Sequence, residues 1–273
     1  MAKVRSDPEA RIARYIREGR GLGEGRSYKP WIGIRDISSK GRSHAVPGFT
    51  TGREHQLLSD LELKVCLLAD FSPRFVDIRE QFPLFSRIET QSLAKRLGIK
   101  HPRYPRSSVD MVLTTDFLLT TAGPHKTIVA RSVKYQSDLA DERTLEKLEL
   151  EKRYWQERGV QWQLITELDI PQDVWRNVYW LRRGVTESFN DDLERQFTYQ
   201  LEGAKADETL RELFIRIERR LKITPGQASI IFRHLVWKHT IHVDIHAKLD
   251  LAATISSIGL KLPVEGESHA SAA

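Results

Sequence analysis

Three side chains have types and spacing that could do chemistry together. Glu62 is a carboxylate on a predicted helix, Asp116 opens a predicted strand, and Lys134 follows 18 positions later near the end of the adjoining strand. The stretch DFLLTTAGPHKTIVARSVKY (116–135) reads as two extended segments joined by AGPHK, a five-residue hairpin signal containing Gly and Pro. A lysine in a strand made to be buried is costly unless an anion stands beside it, because desolvation penalises its charged form. Side chains alternate along a strand, so Ser132 and Lys134 share a face that a short hairpin can bring beside Asp116. Two carboxylates can hold Mg²⁺, a hard ion that keeps several waters for a phosphate substrate. Lys134 would then position and help deprotonate an attacking water, or steady the charge that builds on phosphorus. Each residue also fits a plainer role: Glu62 paired with Lys64, Asp116 capping a turn, Lys134 snorkelling from a strand end.

The elements that must carry these groups follow from periodicity. Leu58, Leu61, Val65 and Leu68 mark a buried helix from Leu57 that includes Glu62. FVDIREQFPLF (75–85) alternates as a half-exposed strand would, with Pro83 limiting its pairing. Residues 86–114 read as an insertion with a short helix over 90–97. DERTLEKLELEKRYWQERG (141–159) predicts a helix with Leu145, Leu148 and Trp155 inward, closed by Gly159, and VQWQLITE predicts a strand. At the N-terminus, Ser6 to Glu9 forms a capping-box pattern opening a helix with Ile12, Tyr15 and Ile16 on one face and Arg11, Arg14 and Arg17 on the other. The glycine-rich GRGLGEG follows a helix rather than a strand, which argues against a nucleotide loop.

The chain has 273 residues, 40% hydrophobic and 29% charged, with 43 Lys and Arg against 37 Asp and Glu for a net charge of +6. That balance favours a polyanionic partner without requiring one. Cys66 is the only cysteine, which excludes an intramolecular disulfide or a multi-cysteine zinc site and suits a reducing compartment. No apolar run approaches membrane-spanning length and no signal peptide is visible, so a cytoplasmic location is expected, with the protein nucleoid-associated in action. Arg42, His44, Arg53 and His55 flank the Glu62 helix and are candidate phosphate contacts, although solvated loop cations explain them nearly as well. The division expected is a first domain over 1–168 and a second over 169–273. Beyond LDIPQDVW, a linking element, DDLERQFTYQLEGA, ETLRELFIRIERRLKI and a segment begun by Thr224-Pro225-Gly226-Gln227 predict three helices. Residues 241–251 alternate with the period of a strand, suggesting a winged-helix module with a disordered tail. His242, Asp244 and His246 would share a strand face, but with no fourth ligand visible a wet polar wing is favoured over a metal site.

The element order, with Asp116 and Ser132-Val133-Lys134 standing as D and x-x-K, resembles the PD-(D/E)xK nuclease fold. More narrowly, GRSHAVPGFTTGREHQLLSDLEL, VDIREQFPL, GIKHP, TTDF and DERTLEKLELEKRYW resemble the TnsA family of transposon-end endonucleases over most of residues 6–168. The resemblance implies an α/β fold: a restriction-endonuclease-like mixed sheet flanked by helices, with an αβββαβ core, followed by a mainly α, winged-helix-like domain. It assigns catalysis to Glu62, Asp116 and Lys134, and the metal to Glu62, Asp116, Ser132 and the Val133 carbonyl. Ser132 departs from the Glu or Asp of general nucleases and from the Gln familiar in this family, and its hydroxyl is a shorter, weaker ligand. The implied cofactor is Mg²⁺, with Mn²⁺ as an alternative. The implied activity is hydrolysis of 5′-ended strands at transposon ends, beside a TnsB-like transposase and a TnsC-like AAA+ ATPase docked on the C-terminal domain. A contrasting expectation is a nuclease-like scaffold, impaired by Ser132, bridging transposase, ATPase and DNA.

Overall fold

The computed structural model describes residues 7–36, 41–183 and 188–262. Ser6 and the tail after residue 262 lie outside the described residues. The chain divides into two compact units, Met1–Asp169 and Ile170–Ala273.

In the first unit, α1 (Pro8–Arg17) is capped by Asp7, whose carboxylate accepts the Glu9 N–H, with Pro in the first turn. Ile12 and Tyr15 are buried, but Ile16 is exposed, so the apolar stripe is narrower than expected. Two short strands, β1 (His44–Pro47) and β2 (Glu54–Leu57), pair antiparallel where only a loop was expected. Their connection is held by Asp70, whose carboxylate accepts the Phe49 and Thr50 N–H groups. Gly48 is required at this turn because a Cβ there would stand 2.4 Å from the His55 ring. Helix α2 (Asp60–Phe71) follows at once, capped by Ser59, with Leu61, Glu62, Val65 and Cys66 buried. Leu57 and Leu58, expected in this helix, precede it.

The central sheet has the order β3 (Phe75–Pro83), β4 (Thr114–Thr121), β5 (Ile128–Val133), β6 (Gln161–Ile165). The first three strands are antiparallel neighbours and β6 lies parallel to β5, which makes the sheet mixed. Helix α3 (Arg87–Arg96) fills the connection between β3 and β4, and α4 (Glu142–Gln156) that between β5 and β6. The order helix, three strands, helix, strand is therefore observed, with α3 interposed. Leu84, Leu93, Ala94, Leu118, Ala130, Leu150, Tyr154 and Trp155 form one core beneath the sheet. Leu145, expected inward, is exposed. β3 is also more buried than its alternation predicts: Asp77, Arg79, Glu80 and Gln81 are all buried, because the β1–β2 hairpin and the N-terminal segment supply polar partners for them.

The second unit is helical: α5 (Gln172–Arg182), α6 (Asp191–Glu202), α7 (Leu210–Leu221) and α8 (Gln227–Trp237). α5 occupies the stretch read as a linking element. The strand expected over 241–251 does not form. Asp244 and Asp250 accept the N–H groups of His246 and Ala252, two residues on, and fold the segment into turns. Among the described residues the unit has only isolated bridges, His242 with Lys261 and Thr209 with Thr254, and the Asp244 N–H meets the Ile258 carbonyl at 2.8 Å, so residues 242–244 run beside 258–261 without forming an extended strand pair.

Candidate active site

Asp116 is the third residue of β4 and Lys134 lies just past the end of β5, so the antiparallel pairing brings both to one end of the sheet. Asp116 Oδ2 accepts the Val133 N–H at 2.7 Å and the Lys134 ammonium at 2.8 Å. The same Nζ donates to the Val133 carbonyl at 2.8 Å. Burial works against the lysine charge, yet the charge and hydrogen bond of Asp116, with Glu151 and Glu62 nearby, carry its pKa above the ordinary value. At neutral pH Lys134 is thus an ammonium, and in this geometry it donates rather than accepts.

Glu62 comes from the first turn of α2. Its backbone N–H goes to the capping Ser59 hydroxyl, while its carboxylate turns back to accept Leu58 N–H at 3.0 Å, Ser59 Oγ at 3.2 Å and Gln81 Nε2 at 3.3 Å. Burial, then the charge of Asp116, push its pKa up to about 7. Asp116 is thus near enough for its charge to act on Glu62.

A third acid was not expected. Glu151, on α4, is buried, and burial followed by the charge of Asp116 raises its pKa to about 7. Ser132, fully buried, donates its hydroxyl to Glu151 Oε1 and accepts Trp162 Nε1 at 2.9 Å. So behind the serine that departs from the usual acid stands a carboxylate from another element. The sequence did carry a signal for it: Leu148, Glu151 and Trp155 fall at i, i+3 and i+7, which sets a carboxylate in an apolar helix stripe.

The four candidate phosphate contacts divide. Arg42 is mostly exposed and makes a loose ion pair with Asp60 at 3.8 Å. His44 is tied to the same Asp60 at 2.6 Å. Arg53, in the connection between β1 and β2, and His55, in β2, both have buried side chains. Arg53 grips Glu80 through two nitrogens at 2.8 and 2.5 Å, and His55, wholly buried, donates from Nδ1 to Glu80 Oε2 at 2.8 Å and shares a hydrogen bond between Nε2 and the Thr51 hydroxyl at 3.0 Å. A buried carboxylate left unpaired would be expensive, and these two side chains are committed to relieving that cost.

The donor set at the sheet end is all oxygen, the chemistry a hard divalent cation prefers. Three carboxylates, Glu62, Asp116 and Glu151, stand near the Lys134 ammonium, and burial first, then the charge of Asp116, raises the pKa of Glu62 and Glu151. The chemistry of these oxygen donors suits such a cation. The ligands are not a preformed cage: among the described residues no three acidic, His or Cys side chains are arranged to hold a metal as they stand. Glu62 is held by its own helix start and Glu151 by Ser132.

Residues 72–167 match the family model described as TnsA-like endonuclease N terminal, and residues 169–245 match that described as TnsA endonuclease C terminal. The chain is 45% identical over 250 residues, 90% of each chain, to the transposition protein TnsA of transposon Tn7 from Escherichia coli. With both halves of the chain matched and 45% identity across 90% of its length, this protein belongs to the TnsA family of endonucleases.

Proposed function

We propose that the protein is a DNA endonuclease of transposition that hydrolyses the 5′-ended strands at transposon ends, on a restriction-endonuclease-like fold of the PD-(D/E)xK type. The observation that carries the reading is the Lys134 ammonium bridging Asp116 Oδ2 and the Val133 carbonyl, beside two acids whose charge it only partly offsets. Glu62, Asp116, the Val133 carbonyl and the Ser132–Glu151 pair would hold Mg²⁺ or Mn²⁺. Bound there, the cation would supply Lewis acidity and a water of lowered pKa. The Val133 N–H fixes the Asp116 rotamer, the Ser59 cap and Leu58 N–H fix Glu62, and the Lys134 ammonium is placed to stabilise charge developing on the phosphate oxygens. Glu151 supports activity despite Ser132, which weighs against an impaired scaffold.

Partners follow from the same reading. A TnsB-like transposase would process the opposite strands, and a TnsC-like AAA+ ATPase would dock on the second unit, whose helices are the remnant of the winged-helix-like expectation. DNA would be met by Arg42 and by the exposed Arg14 and Arg17 of α1. Among the described residues no helix is long and apolar enough to cross a membrane, in keeping with action on DNA in the cytoplasm.

The test is strand-specific cleavage by the assembled complex in Mg²⁺. Asp116→Ala and Lys134→Ala are each expected to abolish 5′-strand cleavage, by about 1,000-fold or more, as losses of transition-state stabilisation do. Cleavage retained at near wild-type rate in either variant would refute the assignment.

A further inference from the structure

We infer that Gln81 is a positioning residue for the Glu62 carboxylate, and through it for cation binding; the inference rests on the proposed metal site. Gln81 lies inside β3 with φ +47°, the left-handed region that strand residues other than glycine rarely occupy. A non-glycine residue is strained there, and such strain persists only where the surroundings over-determine it. The register sets Gln81 between Glu80, opposite Phe117, and Phe82, opposite Thr115, which places it across from Asp116.

Its side chain is 3% exposed and both ends of the amide are used. Nε2 donates to Glu62 Oε2 at 3.3 Å, and Oε1 accepts the Thr114 hydroxyl at 3.2 Å. The backbone carbonyl accepts the Trp31 N–H at 3.2 Å. The amide orientation follows from its partners, since only the NH₂ end can meet a carboxylate. Packing alone would be satisfied by an apolar side chain of similar length, and the backbone alone would be better served by glycine. The residue present satisfies neither demand most simply; what it adds is a donor on Glu62 from a second element. With Leu58 N–H and Ser59 Oγ it gives the carboxylate three donors, so its orientation is fixed from both helix and sheet. Groups that orient a metal-binding carboxylate in this way typically contribute about 10- to 100-fold to metal affinity or activity.

The experiment is Mn²⁺ titration of the full chain without DNA, by calorimetry, for the wild type, Gln81→Met, Gln81→Gly and Glu62→Gln, with thermal melting in chelator. Gln81→Met and Gln81→Gly are expected to weaken Mn²⁺ about tenfold, within the range for loss of an outer-shell partner. In the assembled complex, the Mg²⁺ needed for half-maximal cleavage should rise alike, with the saturating rate within about threefold of wild type. Gln81→Gly, freed of the left-handed penalty, should melt near the wild type and keep the test decisive if the methionine variant folds poorly. Wild-type Mn²⁺ affinity in both Gln81 variants, with Glu62→Gln weakened, would overturn this inference alone. Wild-type affinity in Glu62→Gln would instead overturn the role of Glu62 in the metal site, and Gln81 with it. Failure of both Gln81 variants to fold in chelator would make Gln81 a folding residue and also overturn it.

Discussion

Glu151 and Lys134 illustrate how differently two charged residues can be written in a sequence. Lys134 stood out because an ammonium in a buried strand needs an anion, and Asp116 at 2.8 Å is that anion. Glu151 was hidden in LEKLELEKRYW, where acids and bases crowd every turn and a helical glutamate is ordinarily solvated. Gln81 left no trace, since nothing in IREQF announces a left-handed backbone. Glu151 has a measurable consequence. An acid whose folded pKa is raised from 4.5 to about 7 contributes stability that is fully present below pH 4.5 and is lost as pH rises through 7. For one such group the loss is on the order of 3 kcal/mol. Melting of the metal-free chain is therefore expected to fall between pH 5 and 8. Glu151→Gln should remove about half of that fall, Glu62 accounting for the remainder in the same direction. A flat profile in the wild type would contradict the raised acids.

At the scale of elements, the β1–β2 hairpin changed the meaning of two residues, Arg53 and His55. Its strands are four residues each, one ends in Pro47, and its apolar positions show no clear period, so pattern alone gives a loop. Once paired, it delivers Arg53 and His55 to Glu80 rather than to phosphate. Burial would raise the Glu80 pKa, but the Arg53 and His55 hydrogen bonds hold it down at about 2. The stability this contributes is present above pH 4.5 and is lost as pH falls toward 2. Arg53→Ala is expected to destabilise the first unit by about 3–5 kcal/mol in denaturant melts, because it leaves a buried carboxylate with half its partners. Arg42→Ala, on the exposed side, should shift stability by no more than about 0.5 kcal/mol. It should instead lower the salt dependence of DNA binding by about one counterion. The reverse pattern would return Arg53 to the DNA surface. By contrast α2, β4, β5, α4 and β6 were legible, because each shows either helical spacing or a short apolar run between turn signals.

For the whole molecule, the order of elements in the first unit was readable and that of the second was readable only for its helices. Alternation over 241–251 satisfies the strand period, but Asp244 and Asp250 offer their own side chains to the backbone two residues on, and turn chemistry prevailed. The first unit, Met1–Asp169, is compact in its own right, so a chain ended at Asp169 is expected to bind Mn²⁺ as the full chain does while losing co-purification with the proposed TnsC-like ATPase. Loss of Mn²⁺ binding in that truncation would show that the site depends on residues beyond it. The most direct measurement for the account as a whole is the anomalous scattering of Mn²⁺ in crystals of the full chain. A peak ligated by Asp116 and the Val133 carbonyl, with Lys134 Nζ drawn off that pair and the peak absent in Asp116→Ala, is the predicted result. Full Mn²⁺ occupancy elsewhere in the molecule, with Lys134 still bridging Asp116 and Val133, would contradict it.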